Sequence, residues 1–213
     1  VEALKNAEAV VIVTPTSTHF EYFRIAVEHV KHIFIEKPLA ETYEQALEMK
    51  ALAKAKGVFV QTGFIERFNP VVVELKNILQ HERVINVDFV RTNKLSSRIS
   101  DVDVILDLMI HDIDLALYFN GAVDKVVAFG RKENDGIAFC SAILCHKNHA
   151  MSRILASRMT EKKDRLIEVT TEQAYIESEL LKRELKLHKQ SVVNDDDSKP
   201  YTISSIEQQI AVK

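Results

Sequence analysis

A parallel α/β layer leading into an α+β domain on a mostly antiparallel open sheet is the fold this 213-residue chain predicts. Three observations carry it. Short β-branched runs alternate with helical stretches through the first sixty or so residues. A long apolar helix bearing acids and a histidine stands near the middle. Behind it come consecutive strand-like runs separated by turn residues. Strand, helix, strand, helix, strand with short links means parallel strands joined by crossover helices. A helix followed by successive strands means an antiparallel sheet.

Taken in order, Val1–Asn6 reads as the tail of a helix. Ala9–Thr14 (AVVIVT) is a continuous β-branched run, as expected of a strand buried on both faces. Pro15 stops it, and Thr16, Ser17 and Thr18 offer N-cap hydroxyls to a helix through His19–His29. His32–Glu36 is the next strand, halted by Pro38. Thr42 caps Tyr43–Lys56, whose Ala46, Met49 and Ala53 share a face, and Gly57 closes it. Val58–Thr62 is the third strand. Beyond, Arg67–Gln80 is a helix with Pro70 in its first turn, where the missing N–H does no harm. Val84–Asn93 is a strand and Asp103–Phe119 a long amphipathic helix. Strands follow at Lys125–Arg131, Ile137–His146, Ser152–Arg158, Arg165–Thr170 and Ala174–Leu180. Asn194–Lys199 is an acidic surface loop. The domains predicted are residues 1–66 and 67–213.

Lys and Arg number 28 against 31 Asp and Glu, a net charge of −3. That balance gives no support to a nucleic-acid partner or a polybasic membrane tether. No run of about 18 apolar residues suggests a spanning helix, and VEALKNAEAVVIV lacks the basic start of a signal peptide. The two cysteines, Cys140 and Cys145, fall on opposite faces of one strand and should not pair. A cytoplasmic protein with free thiols is the reading. None of the five glycines opens a G-x-G-x-x-G or phosphate-loop pattern.

Two constellations can carry chemistry. Glu36-Lys37-Pro38 closes a parallel strand, and open parallel sheets bind ligands beyond their strand carboxyl ends. Lys37 there can project into a crevice, or be an ordinary solvated lysine. Asp107, His111, Asp112 and Asp114 lie within DLMIHDIDLALYF. Asp107 and His111 are four apart and share a helix face. A carboxylate beside an imidazole orients the ring and raises its basicity, as a general base requires. The alternatives are a hydrogen-bonded core histidine, or a metal held by Asp107, His111 and Asp114.

These pieces together resemble the Gfo/Idh/MocA family of nicotinamide-dependent oxidoreductases. The stretches that carry the resemblance are VVIVTPTSTHFEYFRIAV, IFIEKPLAETYEQALEM and the helix from Asp107 through His111 to Asp114. Within that family, GFIERFNPVVVEL, RISDVDVILDLMIHDIDLALYF and ASRMTEKKDRLIEVTTEQAYIE look most like the UDP-N-acetylglucosamine 3-dehydrogenase subgroup. The likeness covers most of Ala9–Ile176. It implies the C-terminal part of a Rossmann-type parallel sheet followed by an α/β domain whose mostly antiparallel open sheet mediates oligomerisation. It also implies that Lys37, Asp107 and His111 are catalytic. Two departures stand out: Met109 occupies a position where the family usually has glycine, and Asp101 and Asp103 replace a glycine-bearing helix start. The dinucleotide fingerprint should precede Val1 by about 60–75 residues of βαβ structure. The end, SSIEQQIAVK, looks cut before a last helix.

The mechanism implied is hydride transfer between NAD or NADP and a secondary alcohol of a sugar or nucleotide sugar. His111 takes the hydroxyl proton, Lys37 stabilises the alkoxide and Asp107 orients His111. Thr14, Pro15, His19, Glu36 and Lys37 should border the cofactor. Arg98, Arg158 and Lys163 are candidates for a nucleotide-sugar diphosphate, or else solvated surface charges, and Asp114 joins the substrate-side residues. The implied partners are a small-molecule sugar and a second copy of the chain, as a dimer or tetramer through an uncovered apolar sheet face, with no nucleic acid and no membrane. The rival is a catalytically silent sugar-nucleotide binder on the same fold. A metal-dependent hydrolase or isomerase built on the helix carboxylates is a third reading.

Overall fold

The computed structural model describes residues 2–93, 102–133, 136–189 and 206–212. The chain forms two compact units, Val1–Ile65 and Glu66–Lys213.

In the first unit, β1 (Ala9–Ile12), β2 (His32–Ile35) and β3 (Phe59–Thr62) pair in parallel in that order. The crossovers are α1 (Thr16–Ala26) and α2 (Tyr43–Lys56). Ile12, Ile33 and Ile35 pack with Phe23, Val27, Met49 and Ala53 to form one core. The strands are covered by these helices on one face only. Val11 is 64% exposed and Phe59 74%, so the expectation of a first strand buried on both faces is corrected here. Thr42 caps α2 as the sequence predicts: its side chain accepts the Gln45 N–H while Gln45 reaches back, a reciprocal capping box. Gly57 closes that helix in the left-handed region, at φ 65°. The start of α1 differs from expectation. Its N-cap is Pro15, with no side-chain cap, and the Thr18 hydroxyl lies 2.8 Å from both the Thr14 hydroxyl and the Pro15 carbonyl. Proline's fixed φ starts the helix where a hydroxyl was expected to.

A 3-10 turn (Ile65–Phe68) starts at the last residue of the first unit, and in the second it precedes α3 (Pro70–Leu79), capped by the Asn69 side chain on the Val71 N–H. Then come β4 (Val84–Thr92), a π-helical turn (Ile105–Met109) and α4 (Ile110–Asn120). The remaining strands are β5 (Val123–Glu133), β6 (Gly136–His146), β7 (Met151–Ser157), β8 (Arg165–Thr171), β9 (Ala174–Glu179), β10 (Glu184–Lys189) and β11 (Ile206–Ala211). Their order in the sheet is β11-β10-β9-β8-β4-β7-β6-β5. Among the described strands of this sheet, only the β4–β7 pairing is parallel. The predicted single helix over Asp103–Phe119 is thus a π turn running into an α-helix. Asp103 sets its start by accepting the Ile105 and Leu106 N–H groups on one carboxylate oxygen, each at 3.0 Å. The last two strands, β10 and β11, went unread in the sequence.

Alternation sorts the two faces of this sheet. Val87, Phe89, Ile154, Ile167, Val169, Ile176 and Leu185 share a core with Val72 and Leu75 of α3 and Leu115 of α4. On the opposite face, Phe129 is 75% exposed, with Ile143, Met151 and Tyr175 also open. Toward β5–β7 that face is mostly apolar, with Arg153 set beside Ile143. Across β4 and β8–β10 it carries Asp88, Glu168, Glu177 and Lys186, so the expected apolar face is apolar only in part. Cys140 is buried, Cys145 half-buried, and both are free.

Candidate functional site

In the first unit the parallel strands run in register, so their carboxyl ends share one edge. Thr14 and Pro15 follow β1, Glu36-Lys37-Pro38 follows β2 and Gly63 follows β3. Two backbone bonds extend the ladder to this edge, from Glu36 N–H to Ile12 O at 2.9 Å and from Gly63 N–H to Ile35 O at 2.8 Å. The Glu36 carboxylate accepts the Lys37 N–H at 3.1 Å and folds over Gly63. A Cβ on Gly63 would lie 2.9 Å from that carboxylate, so glycine is what permits the approach. The Lys37–Pro38 peptide is cis, and Lys37 is half-buried while Thr14 and Pro15 are exposed. His19, only 1% exposed, stands beneath this edge. Its Nδ1 lies 2.9 Å from the Pro38 carbonyl and its Nε2 2.9 Å from the Thr14 carbonyl. The ring ties the end of β1 to the turn after Lys37.

In the second unit the acids around His111 are held by arginines. Asp112 is 3% exposed and receives two bonds from Arg91, Nε to Oδ2 at 2.8 Å and Nη2 to Oδ1 at 2.7 Å. The third Arg91 bond, from Nη1, goes to Glu66 at 2.7 Å. Asp114 is gripped by Arg67, Nε to Oδ2 at 2.7 Å and Nη2 to Oδ1 at 2.5 Å. Asp107 pairs with Arg158 at 2.9 Å, and Arg158 also donates to the Val102 carbonyl at 2.6 Å. His111 itself is half-buried. Arg165 sits opposite Arg91 across the β4–β8 ladder and donates to the Thr92 and Asp164 carbonyls.

The electrostatics follow from burial and pairing. Burial pushes the Glu66 carboxyl up, but the Arg91 charge and hydrogen bond, with help from His111 and Asn69, hold it below the usual range. Burial raises Asp112 above the ordinary carboxylate value against the opposing pull of Arg91. Arg91 is raised: its carboxylate partners outweigh the cost of its burial. Arg165 is lowered, by burial and by the Arg91 charge beside it.

Arg158 is 9% exposed and bound to Asp107 and Val102, whereas Lys163 is exposed. Arg98 and Asp101 lie outside the described residues. The described residues contain no group of three or more potential metal ligands, and the oxygens of Asp112 and Asp114 are turned to guanidinium groups. Sequence reading passed over Arg91 and Glu66. The signal was present: on β4 the inward register runs Val87, Phe89, Arg91, and a charge at an inward position must find a partner. The pairing of Arg67 with Asp114 likewise went unread in the sequence.

Residues 1–64 match the family model described as "Oxidoreductase family, NAD-binding Rossmann fold", and residues 86–177 match the "GFO/IDH/MocA C-terminal domain". The UDP-N-acetylglucosamine 3-dehydrogenase of Acidithiobacillus ferrooxidans is 30% identical over 188 residues, covering 87% of this chain and 59% of that protein. The scyllo-inositol 2-dehydrogenase (NAD(+)) of Bacillus subtilis is 32% identical over 136 residues, covering 60% of this chain and 40% of its own length. The solved structure of the Acidithiobacillus enzyme, GnnA, superposes with a TM-score of 0.88 at 26% identity, over 100% of this chain and 66% of that one. Levoglucosan dehydrogenase in complex with NADH and L-sorbose shares the fold, with a TM-score of 0.83 at 21% identity, over 98% of this chain and 62% of its own. The chain thus spans roughly two fifths to three fifths of the length of these curated relatives.

Proposed function

Because the chain belongs to the Gfo/Idh/MocA family of oxidoreductases, we propose that the protein transfers hydride between a nicotinamide dinucleotide and a secondary alcohol of a sugar or nucleotide sugar. C3 of UDP-N-acetylglucosamine is the first carbon to test, from the likeness to the dehydrogenase of that name. The observation that carries the reading is Lys37 at the carboxyl edge of an in-register parallel sheet, the edge at which such sheets take dinucleotides. The residues there fit the cofactor. Thr14, Pro15, Glu36 and Lys37 lie along one edge, and Gly63 leaves room for the Glu36 carboxylate to fold in. His19 supports them from below. NAD or NADP, when bound, supplies the hydride acceptor.

The chain's own residues handle the proton and the charge. His111 accepts the hydroxyl proton as the carbon is oxidised. Lys37 is assigned the second catalytic role, stabilisation of developing negative charge by its ammonium group. Asp107, paired with Arg158, sits one turn before His111 and orients it. Asp114, Arg158 and Lys163 belong to the substrate side, Lys163 as an exposed cation suited to a diphosphate. Arg98 is assigned to the same diphosphate from the sequence alone.

Around the site we read a cytoplasmic homo-oligomer, a dimer or tetramer. Two free cysteines support the compartment, and no described helix is long and apolar enough to cross a membrane. The exposed Phe129, Ile143 and Met151 on one sheet face support self-association. The balanced charge of −3 favours neither a nucleic acid nor a membrane as partner. The second reading, a silent sugar-nucleotide binder, keeps the fold and loses the chemistry.

The test is Lys37→Met, which removes the ammonium while keeping most of the stem. Turnover should fall by about 100- to 10,000-fold, with nucleotide-sugar binding weakened far less. His111→Asn should behave alike, its residual rate rising with pH as hydroxide replaces the base. Normal turnover in either variant overturns the assignment of that residue.

A further inference from the structure

We infer that Arg91 is a positioning residue for His111, an inference that rests on the proposed role of His111. Arg91 lies in β4, inside the sheet, and is 3% exposed. Its three bonds reach Asp112, the residue after His111 on α4, and Glu66, on the turn that leads into α3. A two-pronged guanidinium–carboxylate grip fixes distance and rotation together, unlike a single bond. Each helical residue turns the helix by about 100°, so holding Asp112 sets the direction in which His111 leaves the axis.

The backbone around this helix makes such a hold necessary. The turn that enters it is π-helical, Ile105–Met109. A π turn is a one-residue insertion into the α ladder, so the residues after it face other directions than an unbroken α-helix would give them. Side-chain anchors hold those directions, and three are present among the described residues. Arg158, at the end of β7, holds Asp107, four residues before His111. Arg91, from β4, holds Asp112 one residue after it. Arg67, from the turn before α3, holds Asp114 three residues after it. Each arginine comes from a different element, so the helix is pinned from three directions.

Stability alone does not account for the Arg91 group. Replacing a buried ion-pair triad with apolar side chains of similar volume is often neutral or stabilising. Geometry is what such a replacement gives up. Glu66 adds a second link, since His111 is one of the groups that hold its carboxyl below the usual range. The guanidinium that orients the helix therefore also fixes a carboxylate that interacts with His111.

The experiment is the triple variant Arg91→Met, Asp112→Leu and Glu66→Gln, compared with the unaltered protein and with His111→Asn. The expected result is a melting temperature at or near that of the unaltered protein, with turnover lower by about 100-fold, the cost of a misplacement of about 1 Å. KM should change by less than about threefold, because substrate contacts are left in place. In the proton NMR spectrum the Cε1–H signal of His111 should move or split. If the triple variant folds with that signal unmoved and turnover kept, Arg91 is structural only and the inference is overturned. If it does not fold, Asp112→Asn is read by the same two measures, since it keeps the shape and loses the charge. Lower turnover with a moved His111 signal supports the inference; an unmoved signal with full turnover overturns it. The NMR signal requires no substrate, so the inference can fail or survive separately from the proposed activity. Full turnover in His111→Asn would instead remove the role of His111 itself.

Discussion

The two units place their polar residues by different physical means. In the first, Glu36 and His19 sit on or under loops at strand ends and are fixed largely by backbone groups. The His19 ring meets two carbonyls, and the Glu36 carboxylate takes its neighbour's N–H. In the second, His111 sits on a helix whose acids are fixed by arginines arriving from far along the chain, 21 residues for Arg91–Asp112 and 47 for Arg67–Asp114. Backbone anchoring uses main-chain groups that every residue carries, over 5 residues from His19 to Thr14 and 19 to Pro38, so no partner side chain has to be chosen. Charge anchoring needs a particular arginine brought to a particular acid, and that pairing is read only after folding. It also concentrates risk, because one lost partner strands a buried charge.

That difference can be tested by removing one anchor at a time. The largest effect should come from Asp112→Leu alone, which leaves the Arg91 guanidinium buried without its main partner. A loss of about 3–5 kcal/mol is expected, read by urea denaturation. His19→Leu is the matching change in the first unit. It takes away the imidazole that lies between the Thr14 and Pro38 carbonyls while filling the space, for a cost of about 1–3 kcal/mol. If His19→Leu costs more than Asp112→Leu, the contrast between the units is wrong. Thr42→Ala, which opens the capping box of α2, should cost about 1 kcal/mol. Smallest of all is Lys56→Ala. Its pair with Glu28 has side chains 44% and 49% exposed, and changes of about 0–1 kcal/mol are usual for such pairs.

Acid should also separate the units. The Glu66 carboxyl is held below its ordinary value in the folded protein, so its contribution is complete above the ordinary carboxylate range. It is lost as pH falls through the lowered value. Stability of the second unit, followed by amide exchange, should therefore fall on acidification. Glu66→Gln should flatten that part of the profile, and an unchanged profile would show that Glu66 contributes nothing there.

Much of the fold was legible. Tyr43–Lys56 came out to the residue, because Thr42 and Gly57 mark both ends chemically. β6 and β8 came out to within one residue, because alternation and turn residues frame them. The π turn was not legible, since Asp103–Phe119 has the apolar spacing of an α-helix and the extra residue leaves no signature in composition. β10 was missed although Leu185 and Leu187 alternate inward with Glu184, Lys186 and His188, because the charges masked the pattern. Within the candidate site, the residue types and their elements were readable, but the partners were not. Asp112 and Asp114 could be seen as buried acids needing a charge. Which arginine supplied it depended on the sheet register that brings Arg91 under α4.

Hydride transfer from a sugar carbon is tested most directly with an isotope. The protein is supplied with NAD and with UDP-N-acetylglucosamine carrying deuterium at C3, and the dinucleotide is examined by NMR. Deuterium should appear on the reduced nicotinamide ring, with slower turnover than for the protium sugar, and both should be lost in Lys37→Met. A protein that binds the nucleotide sugar yet reduces no dinucleotide, with this or any other sugar offered, would refute hydride transfer and leave the silent binder standing.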